Sequence, residues 1–138
     1  MTLAPGLRSQ LLVVVEMNDT AKAIGSGDVP VLATPRLLAL AEAATVRAVE
    51  RHLAPGQTSV GTRVELDHLA ASPLGARVRV GVELTRVDGR RLVFAFEAHE
   101  EHGEPETYEE RGGRTVVGKG TIERVVVDRA KFIARATR

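Results

Sequence analysis

Residues 34–53, T-P-R-L-L-A-L-A-E-A-A-T-V-R-A-V-E-R-H-L, constrain the fold more than any other stretch. Thr34 is a suitable N-cap and Pro35 fits the first helical position. Ala, Leu and Glu then favour helix until Pro55-Gly56 stops it, so the spacing predicts a helix over 34–52. Apolar residues occupy most of its circumference, and such a helix must be enclosed by other elements. One charge, that of Glu42, falls inside the apolar stripe itself. At about 100° per residue, Glu42 shares a face with Leu38, Val46, Val49 and Leu53. A carboxylate in an apolar stripe is rarely buried unless it is paired or functional.

The flanking segments can supply the enclosure. In 58–68, Val60, Thr62, Val64, Leu66 and His68 alternate with Ser59, Arg63, Glu65 and Asp67, which predicts a strand with His68 on its apolar face. An inward Glu on the helix and an inward His on the next strand give two titratable groups a route to one place. Residues 10–16 form a first β-branched strand, and the polar, glycine-bearing 17–29 reads as a loop into the helix. After a turn at 70–75 come two long strands, 76–87 and 90–100, joined by an Asp88-Gly89 hairpin turn. Their apolar positions are Val78, Val80, Val82, Leu84 and then Leu92, Phe94, Phe96, Ala98. Residues 101–113 read as a charged, solvent-facing connection and 114–128 as a last strand bent at its glycines. The basic tail 129–138 carries one helical turn around Lys131-Phe132. Strand, loop, apolar helix and four antiparallel strands predict an α+β hotdog fold over 1–138, a curved five-stranded sheet around one central helix. Protomers of that architecture commonly pair as dimers, often by joining sheets edge to edge.

Composition removes several function classes. A net charge of +1, with 19 dispersed Lys and Arg, gives no reason to expect a nucleic-acid partner. Only 3% of residues are aromatic, which is poor material for stacking bases. The chain has no cysteine, so thiol chemistry and Cys-based zinc sites are excluded. His52, His99 and His102 lack companions at ligand spacing, and no metal is expected. No apolar run reaches the ~18 residues a membrane helix requires. With no leader-like start, a cytoplasmic location without membrane contact is the expectation.

A set of motifs narrows the choice. V-L-A-T, the helix Glu, A-T-V-R-A, L-A-P-G, S-V-G-T, D-H-L-A-A-S-P and V-D-G-R-R-L, with G-K-G-T-I-E-R and A-K-F-I-A-R later, resemble the fluoroacetyl-CoA thioesterase family of hotdog proteins. The resemblance covers most of the chain. It implies a catalytic trio of Thr34, Glu42 and His68, whose offsets match without a gap, and it places Gly61 beside the substrate. It also implies hydrolysis of a small acyl-CoA by a homodimer, with no cofactor beyond the CoA of the substrate. Two departures stand out. Residues 25–29 lack the lid phenylalanines tied in that family to fluorinated substrate, and the 101–113 connection is longer.

Each residue also has a plainer reading. Thr34 caps a helix, Glu42 pairs with an arginine such as Arg36 or Arg47, and His68 is a satisfied core histidine. Arg90, Arg91 and the tail cations solvate a surface or, as the second reading, meet CoA phosphates. The alternative function is a non-catalytic hotdog module binding acyl-CoA or another small apolar ligand. A hydratase fits poorly, because no Asp followed closely by His precedes the helix.

Overall fold

The computed structural model describes residues 3–101 and 115–137. Its elements are β1 (Arg8–Val14), a 3-10 turn (Met17–Asp19), α1 (Ala21–Ile24), α2 (Thr34–Val49), a second 3-10 turn (Glu50–His52), β2 (Gln57–His68), β3 (Arg77–Asp88), β4 (Arg91–Glu101), β5 (Thr115–Asp128) and α3 (Arg129–Ala136). The strands form one antiparallel sheet in the order β1-β3-β4-β5-β2, and α2 packs across one face of it. This is the hotdog arrangement the alternating segments predicted. The charged connection at 101–113 lies, but for Glu101, outside the described residues.

The period-2 pattern sets the face under the helix. Val78, Val80 and Leu84 of β3 and Leu92, Phe94 and Ala98 of β4 are fully buried there, joined by Val117 and Ile122 of β5. From α2 the core receives Leu37, Leu40, Ala41, Ala44, Thr45, Ala48 and Val49, spaced at three and four residues. Three of these are alanines, and their small side chains let the helix approach the sheet closely. The stripe expected around Glu42 is buried only in part. Val49 is fully buried and Leu38 and Leu53 pack against the core, whereas Val46 is exposed and the Glu42 side chain is 37% exposed. Glu42 stands at the margin of the core.

Several boundaries move for local reasons. β1 ends at Val14 because the Glu16 N–H turns to Asp19 Oδ2 at 2.9 Å. The segment expected as a loop contains α1, capped by Thr20 Oγ1 accepting the Ala23 N–H and closed by Gly25 at φ 80°. The hairpin turn is Gly89-Arg90 rather than Asp88-Gly89. Asp88 still pairs with Arg91, and only Gly89 takes a positive φ (59°), as a II′ turn requires. The tail forms two turns of helix because Asp128 Oδ1 caps it. No helix among the described residues is long and apolar enough to cross a membrane.

The largest correction falls on β2. Its pairing with β5 shifts between Gly61 and Arg63, leaving Thr62 without a partner in the ladder. One inserted residue reverses the faces of everything before it. Val64, Leu66 and His68 face the helix as expected, whereas Thr62 is the bulged residue. Gly61 instead lies opposite Arg124, on the side of Glu42.

Candidate active site

The start of α2 is fixed from two sides. The Leu32 N–H donates to Ser72 O and the Ala33 N–H to Asp19 O, at 2.8 and 2.9 Å. Arg36 Nε reaches Asp19 Oδ1 at 2.8 Å. Burial resists the Asp19 charge, but the Glu16 N–H and Arg36 outweigh it and hold the carboxyl below its ordinary range. Ala33, not Thr34, is the N-cap, and it has no side chain to offer. Thr34 is the first helical residue, so its hydroxyl is released from capping. That hydroxyl meets His68 Nδ1 at 2.7 Å.

His68 reaches this point from the end of β2, where it pairs with Gly118. A Cβ on Gly118 would lie 2.8 Å from Leu37 Cδ2, so the glycine lets the first turn of α2 settle beside the histidine. Burial pushes the His68 pKa below 6.5, with the Ala70 backbone opposing, and so favours the neutral ring. Its Nε2 is buried without a partner among the described residues. The Thr34 and Arg36 N–H groups also lack an acceptor there, as the first turn of a helix leaves them. Hydroxyl, imidazole and unpaired N–H donors thus meet at the positive end of a helix dipole, an arrangement that suits a carbonyl acquiring charge.

Glu42 is elsewhere. Eight residues along α2 place it about 12 Å up the axis from Thr34, and it contacts neither Thr34 nor His68. Its neighbours are Gly61 and Arg124. A Cβ on Gly61 would fall 2.9 Å from Glu42 Oε2, and Arg124 Nη1 stands 3.9 Å from that oxygen. The Arg124 side chain is 8% exposed, and it donates through Nε to Ser59 Oγ (2.8 Å) and through Nη2 to Ser59 O (2.9 Å). Burial lowers the Arg124 pKa while Glu42 opposes the change. The structure therefore gathers Thr34 with His68, and Glu42 with Gly61, as two separate pairs within a protomer.

Arg124 was not singled out in the sequence, although a signal existed. With Ile122 and Val126 inward, period 2 places Arg124 on the same apolar face. Neither arginine considered for Glu42 is its partner, since Arg36 belongs to Asp19. Among the described residues, no three His, Cys, Asp or Glu side chains group to hold a metal.

Comparison with known proteins follows the same lines. Residues 15–130 match the family described as FlK, fluoroacetyl-CoA-specific thioesterase. The fluoroacetyl-CoA thioesterase of Streptantibioticus cattleyicolor is 39% identical over 105 residues, covering 76% of this chain and 67% of that protein. A structure of the fluoroacetyl-CoA thioesterase FlK superposes with a TM-score of 0.84 at 33% identity, covering 99% of this chain and 97% of that one. A threonine-to-serine variant of FlK in complex with acetyl-CoA gives 0.84 at 32% identity over 98% and 97% of the two chains. A thioesterase superfamily member from Thermus thermophilus gives 0.82 at 28% identity over 98% and 91%.

Proposed function

This chain belongs to the fluoroacetyl-CoA-specific thioesterase family and is a hydrolase of small acyl-CoA thioesters; we propose that Thr34 and His68 carry its chemistry as nucleophile and base. The observation behind this reading is the 2.7 Å contact between Thr34 Oγ1 and His68 Nδ1 at the start of α2. Nucleophile and base at hydrogen-bond distance are what covalent acyl transfer requires. The thioester carbonyl carbon sits over Thr34, with its oxygen toward the N–H groups of Thr34 and Arg36. Thr34 Oγ attacks and His68 takes its proton. The tetrahedral oxyanion collapses, the C–S bond breaks, and His68 returns the proton to the departing thiolate. Water, deprotonated by the same imidazole, then cleaves the acyl-threonine and releases the acid.

Glu42 belongs to this chemistry through the neighbouring protomer of a homodimer. Two features support the dimer. Among the described residues β2 is an edge strand with an unpaired side, and apolar Val46, Val64 and Leu69 stay exposed around it. A two-fold axis beside β2 runs the two helices in opposite directions. It thereby brings the Glu42–Gly61 pair of one protomer toward the Thr34–His68 pair of the other. Gly61 then lets the substrate acyl group approach the carboxylate without a side chain in the way.

Thiol-release kinetics on acetyl-, fluoroacetyl-, medium-chain and aryl-acetyl-CoA test the assignment. Thr34→Ser should keep much of the turnover and Thr34→Ala should lose at least a hundredfold. Equal rates for wild type and Thr34→Ala would remove Thr34 from the mechanism. Mass spectrometry of quenched enzyme should find the acyl group on Thr34.

A further inference from the structure

The chemistry above uses the helix side of the sheet and leaves a buried carboxylate on the other side. Glu123 of β5 lies between Ile122 and Arg124, whose side chains are on the α2 side, so its own points to the outer face. Carboxylates are almost never buried unless paired, yet Glu123 is only 8% exposed. Among the described residues, two arginines cover it. Arg91 of β4 donates through Nε and Nη2 to Glu123 Oε1, the first at 2.8 Å. Arg63 of β2 stands with Nη1 3.9 Å from Oε2, while its Nη2 is held by Glu65. The carboxylate thus joins three adjacent strands, with one oxygen toward each neighbour of β5.

The place it joins them is the β2 bulge. Arg63 lies opposite Glu123, and the ladder resumes at Gly61 opposite Arg124, with Thr62 left over. The hydroxyl of that extra residue donates to the Glu123 carbonyl oxygen at 3.3 Å. Side chain and backbone of Glu123 therefore hold the two residues that form the irregularity. One common bulge is fixed by a left-handed glycine, but no glycine of β2 has a positive φ, so the hold comes from contacts across the strands. On the helix side the bulge turns Gly61 toward Glu42, whose Oε2 would stand 2.9 Å from an added Cβ. In an unbroken ladder Gly61 would face outward with Arg63, and Val60 would point toward α2.

We propose that Glu123 is a positioning residue: from the outer face, with Arg91, Arg63 and Thr62, it holds the bulge that sets Gly61 against Glu42. The proposal rests on the hydrolase reading, in which the Glu42–Gly61 pair serves the neighbouring protomer's site. Glu123 touches no reacting atom, and its effect on turnover passes through the backbone of residues 61–63. Without the carboxylate, Arg91 and Arg63 stay solvated, because their side chains are 49% and 62% exposed. The loss therefore falls on the register of β2 rather than on stranded charges. A shift of the Gly61 backbone by about 0.5 Å is enough to cost roughly tenfold in rate.

Two measurements on the full chain test this. Hydrogen exchange read by mass spectrometry compares the wild type with Glu123→Ala. Exchange should quicken by about tenfold or more in residues 57–64 and stay as in the wild type in residues 77–88. Unchanged exchange in β2, or equal acceleration in both strands, would overturn the proposal whether or not the protein cleaves thioesters. In thiol release on acetyl-CoA, Glu123→Ala should lower kcat about tenfold with KM within about twofold. Glu123→Gln keeps an acceptor for Arg91 and should lose less. In a Gly61→Ala background Glu123→Ala should cost no more than about twofold, because the position it controls is already displaced. In a Thr34→Ser background it should cost the full factor. Additive losses with Gly61→Ala, or wild-type kcat in Glu123→Ala, would overturn the proposal. A wild type silent on every thioester, with β2 exchange quickened in the variant, would remove the hydrolase reading and keep Glu123 as the residue that holds the bulge.

Discussion

Gly61→Ala isolates the placement of Glu42 from the stability of the fold. Gly61 does not occupy the positive-φ region, so alanine meets no backbone strain. The added Cβ would stand 2.9 Å from Glu42 Oε2, against about 3.4 Å for an ordinary contact. The carboxylate is the far end of a flexible side chain, so it yields rather than the strand, by about 0.5 Å. Misplacing a reacting group by 1 Å costs about a hundredfold, so half that distance should cost kcat/KM roughly tenfold. Stability should stay within about 0.5 kcal/mol, which is about 2 °C in Tm for a chain of this size. Thiol release on acetyl-CoA and thermal unfolding read the two quantities. Gly81→Ala, whose Cβ would meet only Glu97 O at 3.9 Å, is the control and should change neither. Full activity in Gly61→Ala at unchanged Tm would refute the claim that the Glu42 position matters to turnover.

The pH profile should carry the depressed His68 pKa. The base works when neutral, so turnover should persist through pH 6.5 and fall only as pH drops through the lower folded value. An NMR titration midpoint at or above 6.5 would contradict the effect of burial. The same shift makes the folded state lose stability as pH falls from 6.5 through that value, because the unfolded chain protonates first. Gly120→Ala should destabilise by more than about 3 kcal/mol, since its Cβ would lie 1.9 Å from the Glu65 carbonyl oxygen; a chemical-denaturation midpoint equal to the wild type would refute this. Arg124→Met should cost about 1–3 kcal/mol, from the hydrogen bonds to Ser59, and lower kcat. Arg124→Lys should recover part of the activity, and wild-type kinetics in Arg124→Met would end the link to Glu42.

Much of this architecture was legible because simple periods carried it. Val78 to Leu84 and Leu92 to Ala98 alternate without interruption, and their burial follows. The helix was equally plain, but its inward face was not. Leu38, Glu42 and Val46 look like a core stripe by spacing, yet Ala41, Ala44 and Ala48 permit the closer approach to the sheet and win the buried side. The bulge at Thr62 is invisible to a period-2 count, which cannot register an inserted residue. That is why Gly61 and Ser59 end on the helix side. For Thr34, one position decides the difference. The hydroxyl expected to cap α2 lies inside the helix, with Ala33 as the cap, and is therefore available to His68. Arg124 was within reach of the same alternation that located Ile122, and a buried guanidinium there required a partner such as Glu42.

The most direct test is kcat/KM of His68→Ala on acetyl-CoA, measured by thiol release on protein shown by light scattering to keep the wild-type assembly. Removing a general base that also returns a proton to the leaving thiolate should lower the value by about 10²–10⁴. A variant within a few-fold of the wild type would show that the hydroxyl and imidazole joined at the start of α2 are not where the thioester is cleaved.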